Sequence, residues 1–223
     1  MHVQYAEQPH KPPPGFRIRD ATLEDVEGIT NIWYESFNPS HKFFEIATPD
    51  DTPTREWLNK LFASGITAGP GVIRTFVVED LSQGNKIVAF SRWVVPQLDG
   101  NQDVPLPAFP PHWDPAVSEA LWGGMARQRT KVMGTRPHWV AEFIAVASAA
   151  QGKGLPLPLL DWGIRQANAT GLEVYGDASM RGLPVWKHYG FKENGSFQIQ
   201  SSPERFGTYE IVAIILTPPA VKL

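Results

Sequence analysis

The 223-residue chain contains no cysteine. That absence excludes a disulfide framework, a thiolate zinc site and a cysteine nucleophile. An excess of one charge is missing too: 20 Lys and Arg stand against 23 Asp and Glu, for a net −3. So balanced a surface argues against electrostatic nucleic-acid binding as the main task. Long apolar runs are also lacking. Tyr209–Thr217 falls far short of the ~20 residues that cross a bilayer, and the opening MHVQYAEQPHKPPPG has no signal-like apolar stretch. The expectation is a soluble, cytoplasmic protein with no membrane or nucleic-acid partner. Two chemical signatures are absent as well: His-Glu-x-x-His for a metal and Gly-x-Ser-x-Gly for a serine hydrolase. No metal is therefore expected. What the chain does have is eight tryptophans, 21 prolines and 42% hydrophobic residues, enough for a full core.

Patterning along the chain predicts its organisation. Residues 1–15 end in Pro12-Pro13-Pro14-Gly15 and read as a proline-rich arm. Phe16–Arg19 alternates like a strand. Thr22 and Asp25 give a near capping box before apolar Val26, Ile29, Ile32, Trp33 and Phe37 at helical spacing. A second helix is predicted over Thr54–Ala63. Ile73–Glu79 and Lys86–Val95 form a hairpin around Ser82–Asn85. Residues 96–137 are an insertion with seven of the 21 prolines, helical over Pro115–Met133. Then follow a strand at His138–Val146, a helix at Leu155–Thr170, a strand at Leu172–Tyr175, a helix at Leu183–Tyr189, and a strand pair at Phe191–Gln198 and Thr208–Leu216. The predicted domain is 16–217, with 218–223 as a tail. The fold class is mixed α/β.

Chemistry concentrates at Val146-Ala147-Ser148-Ala149-Ala150-Gln151-Gly152-Lys153-Gly154-Leu155. A strand there runs through a glycine-containing loop into a helix, a junction that aims free N–H groups at one point and suits an anion. The spacing matches neither a Walker loop nor Gly-x-Gly-x-x-Gly. An ordinary glycine turn is the competing reading.

The loop Gln151–Leu155, the preceding strand Phe143–Val146, and Leu183–Phe191 closing in Gly190-Phe191 together resemble the GNAT superfamily of acyl-CoA N-acyltransferases. Arg136–Trp139 and Tyr175–Ser179 resemble a fungal branch of it. The resemblance implies a GNAT fold, with a central, mostly antiparallel twisted sheet of about seven strands flanked by helices. It implies acetyl-CoA, or another acyl-CoA, as co-substrate. Ile144, Ala145 and Val146 would meet the pantetheine and polarise the thioester, and Gln151, Gly152, Lys153, Gly154 and Leu155 would hold the pyrophosphate. An amine would attack the thioester directly, so no cysteine is required.

Two departures stand out against the family pattern. Pro156 occupies the last small position of the loop and lacks an N–H, with Pro158 close behind. A helix starting at or just before Pro156 would tolerate both. Trp186 stands where many relatives place a tyrosine that protonates the departing thiolate, and indole donates a hydrogen bond but is no acid. Tyr189, one turn on, is the alternative acid, with core packing as its competing reading. Glu142, inside the apolar strand, is the first candidate base, because burial can turn a carboxylate into a competent one; an outward-facing or ion-paired strand residue is the competing reading. Asp177 is the second. Core packing is the default reading of each tryptophan, yet Trp33, Phe37, Trp93, Trp113 and Trp122 fall on elements that the resemblance makes the acceptor side, and with Trp186 they would suit a flat small molecule. The insertion is expected to cover that site or to make a homodimer contact. The leading function is transfer of an acyl group, acetyl first, to a small-molecule amine. The alternative is a GNAT-fold protein repurposed for ligand binding, cyclisation or isomerisation.

Overall fold

A computed structural model of the chain describes residues 9–97 and 105–219. The elements follow as β1 (Phe16–Asp20), α1 (Val26–Phe37), α2 (Phe43–Ala47), α3 (Thr52–Ala68), β2 (Ile73–Asp80) and β3 (Lys86–Val94). The insertion contributes α4 (Pro115–Ser118), a π-helical turn (Glu119–Gly123) and α5 (Gly124–Met133). Then come β4 (Trp139–Val146), α6 (Pro156–Thr170), β5 (Val174–Ser179), α7 (Leu183–His188), β6 (Lys192–Ser202) and β7 (Gly207–Leu216). The seven strands form one sheet in the order β1-β2-β3-β4-β5-β7-β6. β4 and β5 run parallel, and the other neighbouring pairs run antiparallel. This is the mixed α/β class that the patterning predicts and the mostly antiparallel seven-stranded sheet that the resemblance implies.

Local chemistry explains the element starts. Asp25 accepts the Thr22 N–H at 2.7 Å, and Arg19 grips the same carboxylate through two nitrogens at 2.6 and 2.7 Å. The entry to α1 is thereby fixed, and its apolar stripe of Ile29, Ile32 and Trp33 is buried. Asp51 accepts the Thr54 N–H at the head of α3. That helix runs five residues past the predicted Ala63, through Gly65. Tertiary packing outweighs the glycine penalty there: a Cβ on Gly65 would stand 3.0 Å from the Arg92 guanidinium and 3.2 Å from Ile73. Asp114 accepts the N–H groups of Ala116 and Val117, so the predicted helix over Pro115–Met133 begins on a cap.

The faces of β3 settle one expectation. Arg92 turns toward α3, and the adjacent Trp93 turns to the opposite face, as strand alternation requires. Trp93 is fully buried with its ring 5.8 Å from that of Trp162 on α6. A Cβ on Gly163 would lie 2.1 Å from the Trp93 ring, so this glycine makes room for the indole. Trp93 is therefore a core residue on the α6 side and not part of an acceptor wall.

β5 is longer and later than the predicted Leu172–Tyr175. It pairs with β7 from Val174↔Leu216 through Ser179↔Ile211. Asp177 consequently lies within a strand. The N-terminal arm falls partly outside the described residues. Within them, His10 Nδ1 sits 2.9 Å from Asp161 Oδ2 on α6. Among the described residues no helix is long and apolar enough to cross a membrane.

Candidate active site

The site is built where two strands separate. β4 and β5 pair only at Trp139↔Val174, Val140↔Tyr175 and Ala141↔Gly176. Beyond that last rung they diverge, and β4 from Phe143 to Val146 keeps only its β3 partner. The Ala147 N–H donates to Val88 O at 2.8 Å, toward β3. Successive strand residues alternate, so the backbone groups of Ile144 and Val146 turn to the opposite side, into the gap. The Val146 carbonyl agrees: it accepts from Ser36 Oγ at 2.9 Å and from Gln151 Nε2 at 3.3 Å, neither of which belongs to β3.

A cleft of about 320 Å³ opens at this gap. Ile144, Ala145, Val146, Gln151 and Gly152 line it, as do Pro156 and Trp186. The helix α6 begins at Pro156, as the sequence predicts, with Pro158 in its first turn. Gly152 and Gly154 hold φ of +76° and +75°, which other residues adopt only with strain. Among the described residues, the N–H groups of Gly152, Lys153, Gly154 and Leu155 meet no backbone acceptor, so four donors remain for an anion, while the Gln151 N–H expected to join them donates to Ser148 O at 3.3 Å. The side chains at the far end of the loop point elsewhere. The Lys153 ammonium lies 5.6 Å over the Phe16 ring, Gly154 faces Pro13 of the arm, and Leu155 is buried in the core.

A second cavity, of about 130 Å³, adjoins the cleft and shares Phe37, Ile144, Ser179, Gly182 and Trp186 with it. Its aromatic walls are Trp33, Phe37, Phe44, Trp122, Phe143 and Tyr209. Trp33 and Trp122 stack with centroids 6.2 Å apart and 21° between planes. Trp122 reaches this wall from the π-helical turn of the insertion. The predicted residues Trp33, Phe37, Trp122 and Trp186 thus come together. Trp113 does not join them; it packs on Trp57 and donates to Thr54 Oγ1 at 2.9 Å. A third cavity, of about 230 Å³, lies against α5. Glu142 and Asp177 border both the second and the third.

The two candidate bases differ in setting. Between Arg92↔Phe143 and Trp93↔Ala141 the ladder slips by one residue, so Glu142 occupies a β-bulge that re-aims its side chain. Its Oε2 lies 2.9 Å from Nη1 of Arg92, whose side chain is fully buried. An ion pair, the competing reading of Glu142, is what the side chain makes. Burial pulls the Arg92 guanidinium below its ordinary value, and Glu142 opposes that pull. Asp177 is the first β5 residue past the last rung with β4. Burial pushes its carboxyl up to about 7, while the Tyr175 hydroxyl, donating to Oδ1 at 2.8 Å, and Arg129 pull the other way. A carboxyl titrating near neutrality beside an aromatic cavity has the properties of a general base.

Tyr189 is placed apart from these walls. Helix α7 ends at His188, and Tyr189 leaves helical spacing with φ −88° and ψ 12°. Its ring lies beside His188, while Trp186 faces the cleft. The role of acid expected for Tyr189 has no geometric support. Sequence reasoning also missed Ser179, Phe143 and Tyr209; only the alternation of β4 offered a signal, and only for Phe143. Among the described residues no group of three or more His, Asp or Glu side chains is arranged to hold a metal.

A sheet whose parallel pair splays after three rungs, backed by a glycine loop and a helix, defines the GNAT fold, and comparison with solved structures shows that fold for this chain. An acetyltransferase of Corynebacterium glutamicum aligns at 23% identity over 94% of this chain and 99% of its own, with a TM-score of 0.57. The polyamine N-acetyltransferase of Drosophila melanogaster, which forms N-acetylagmatine, aligns at 14% identity over 91% and 99%, with a TM-score of 0.61. The C-terminal condensation domain of Ebony, in complex with β-alanyl-dopamine, aligns at 11% identity over 91% and 98%, with a TM-score of 0.64. No protein-family model and no curated protein sequence matches the chain.

Proposed function

We propose that this protein transfers an acyl group, acetyl first, from CoA to an amine on a small aromatic or apolar molecule. The observation that carries the reading is the junction of two cavities at the β4–β5 split. One presents strand and loop N–H groups, and the other presents aromatic rings and a carboxyl poised near pH 7. The residues present fit a CoA ester. Backbone N–H groups of Ile144 and Val146 would receive the extended pantetheine, and those of Gly152 to Gly154 its phosphates. A donor aimed at the thioester oxygen stabilises the charge that develops there during attack. Asp177 takes the proton from the attacking amine. Arg92 offsets the charge of Glu142, and the rings of Trp33 and Trp122 favour an aromatic or apolar amine that enters uncharged. Similarity in fold to acetyltransferases of small amines supports this reading.

The reading is tested by calorimetry with acetyl-CoA and by CoA release with a panel of arylalkylamines, aminoalkanes and polyamines. Micromolar binding of acetyl-CoA and turnover of an aromatic amine are expected. One observation favours a second reading, transfer from a donor other than CoA. Pro156 lines the cleft without an N–H, and Lys153 points away from it. The Ebony domain shows that the fold also serves a protein named for condensation. Absence of CoA binding, with thermal stabilisation by an aromatic amine, would select that reading.

A further inference from the structure

We propose that Ser179 and Trp186 form a two-donor site for the sulfur that departs from the thioester, in the role that a tyrosine at position 186 would otherwise fill. This inference rests on the acyl-CoA reading above. Both residues border the cleft and the aromatic cavity alike, so they flank the point where donor and acceptor meet. Ser179 is the last residue of β5, and its Oγ accepts the Gly182 N–H at 3.1 Å. With a lone pair so engaged, the hydroxyl has its proton left to give. The Trp186 indole N–H is a donor only. Among the described residues neither group donates to a protein acceptor.

Gly182 joins the two. A methyl group built on it would stand 3.3 Å from Ser179 Oγ and 3.6 Å from Trp186 Nε1, so both donors border one spot. The backbone there does not require glycine, since φ −80° and ψ −24° are open to any residue. What glycine supplies is the empty space between the donors.

In the reaction, the amine nitrogen attacks the carbonyl carbon and the C–N bond forms. The amine proton passes to the Asp177 carboxylate. The C–S bond breaks, and its electron pair leaves on sulfur. Ser179 Oγ–H and Trp186 Nε1–H hydrogen-bond that thiolate without transferring a proton to it. A thiol titrates only about one to two pH units above neutrality, so a hydrogen-bonded thiolate is an adequate leaving group, and solvent protonates it after release.

The test titrates the thiol of CoA bound to the full-length chain, followed by thiolate absorbance, for wild type, Ser179→Ala and Gly182→Ala. Wild type is expected to lower the midpoint of bound CoA by about one pH unit, a tenfold stabilisation of thiolate. Both variants should return it toward the value of free CoA. In turnover, each should lose roughly 10²-fold in kcat with little change in the acceptor KM. The loss should shrink with an acetyl thioester of a more acidic thiol. Gly182→Ala keeps both donors and the backbone conformation, so its effect is not one of lost groups. Variants with wild-type kcat and an unshifted thiol midpoint overturn the sulfur site alone. A wild type that shifts the midpoint through Ser179 but transfers nothing supports the sulfur site and overturns the transfer reading. A wild type that binds no CoA overturns both.

Discussion

Replacing Asp177 with Asn removes a base and a buried charge in one step, and the two losses have opposite signs. Burial raises the carboxyl from 3.8 to about 7. At about 1.36 kcal/mol per pH unit, ionising it inside the fold costs up to ~4 kcal/mol, and local relaxation brings this nearer ~2 kcal/mol. The unfolded chain gives up this proton near 3.8 and the folded chain near 7. Between those values the folded state holds a proton that the unfolded state has lost, so stability falls as pH rises, and above 7 the deficit is constant. Asn carries no charge to bury, and its carbonyl can still accept the Tyr175 hydroxyl. The variant should therefore melt higher than wild type at pH 8, by roughly 5–15 °C for a chain of this size. The gap should close toward pH 4. Acyl transfer should meanwhile fall by ~10²–10⁴-fold, as removal of a general base does. Wild-type kcat/KM should itself rise with pH through about 7. Calorimetric melts from pH 4 to pH 8, paired with CoA-release rates, read both effects. A melting difference that does not change with pH, or a variant that keeps its rate, refutes the reasoning.

Further expectations follow from neighbouring contacts. Trp122→Ala should raise KM for an aromatic amine about tenfold while KM for acetyl-CoA holds, since the ring walls the acceptor cavity and not the cleft that would receive CoA. Gly163→Ala should cost ~1–3 kcal/mol in urea unfolding, because the methyl collides with the Trp93 ring. Arg92→Met should cost ~3–5 kcal/mol by leaving Glu142 without its cation, and adding Glu142→Gln should recover much of that. For Asp25 and Glu79, burial alone would raise both carboxyls, yet hydrogen bonds, from Arg19 to Asp25 and from Arg17 and Arg19 to Glu79, hold them below their ordinary values. Their contribution is present above the unfolded values of about 4 and is lost as pH falls through the depressed ones. Arg19→Ala should flatten that acid limb of the stability curve.

Much of this arrangement is legible in the sequence, and the failures have causes. Helix starts at Thr22, Pro115 and Pro156 follow from local signals, a capping residue at the first and a first-turn proline at the other two, which need no tertiary context. The strand β5 is cut short in the sequence reading because Gly176-Asp177-Ala178-Ser179 looks like a polar turn. It is a strand only because β7 supplies partners from Ile211 to Ala213. Both Asp177 and Ser179 were undervalued for that reason. The faces of Arg92 and Trp93 depend on which side of the sheet α3 and α6 occupy, and local sequence does not encode that. The Arg92–Glu142 pair spans fifty residues and a bulge, so nothing in the spacing of the charges announces it. The aromatic wall was half legible. Helical spacing picks out Trp33 and Phe37, but only folding brings Tyr209 and Phe143 to them.

The early end of the β4–β5 ladder has one more consequence. The N–H groups of Ile144 and Val146 are left without strand partners along a cleft that residues of α1 and α7 also line. An exposed edge of this kind invites other chains, whereas this one faces a cleft of about 320 Å³. The two N–H groups repeat at about 6.8 Å, twice the rise of a strand residue. An inhibitor need not resemble a nucleotide to occupy this edge. A slim backbone with two carbonyls at that spacing would complete the interrupted ladder as a surrogate strand, and amide exchange at Ile144 and Val146 would slow when it did.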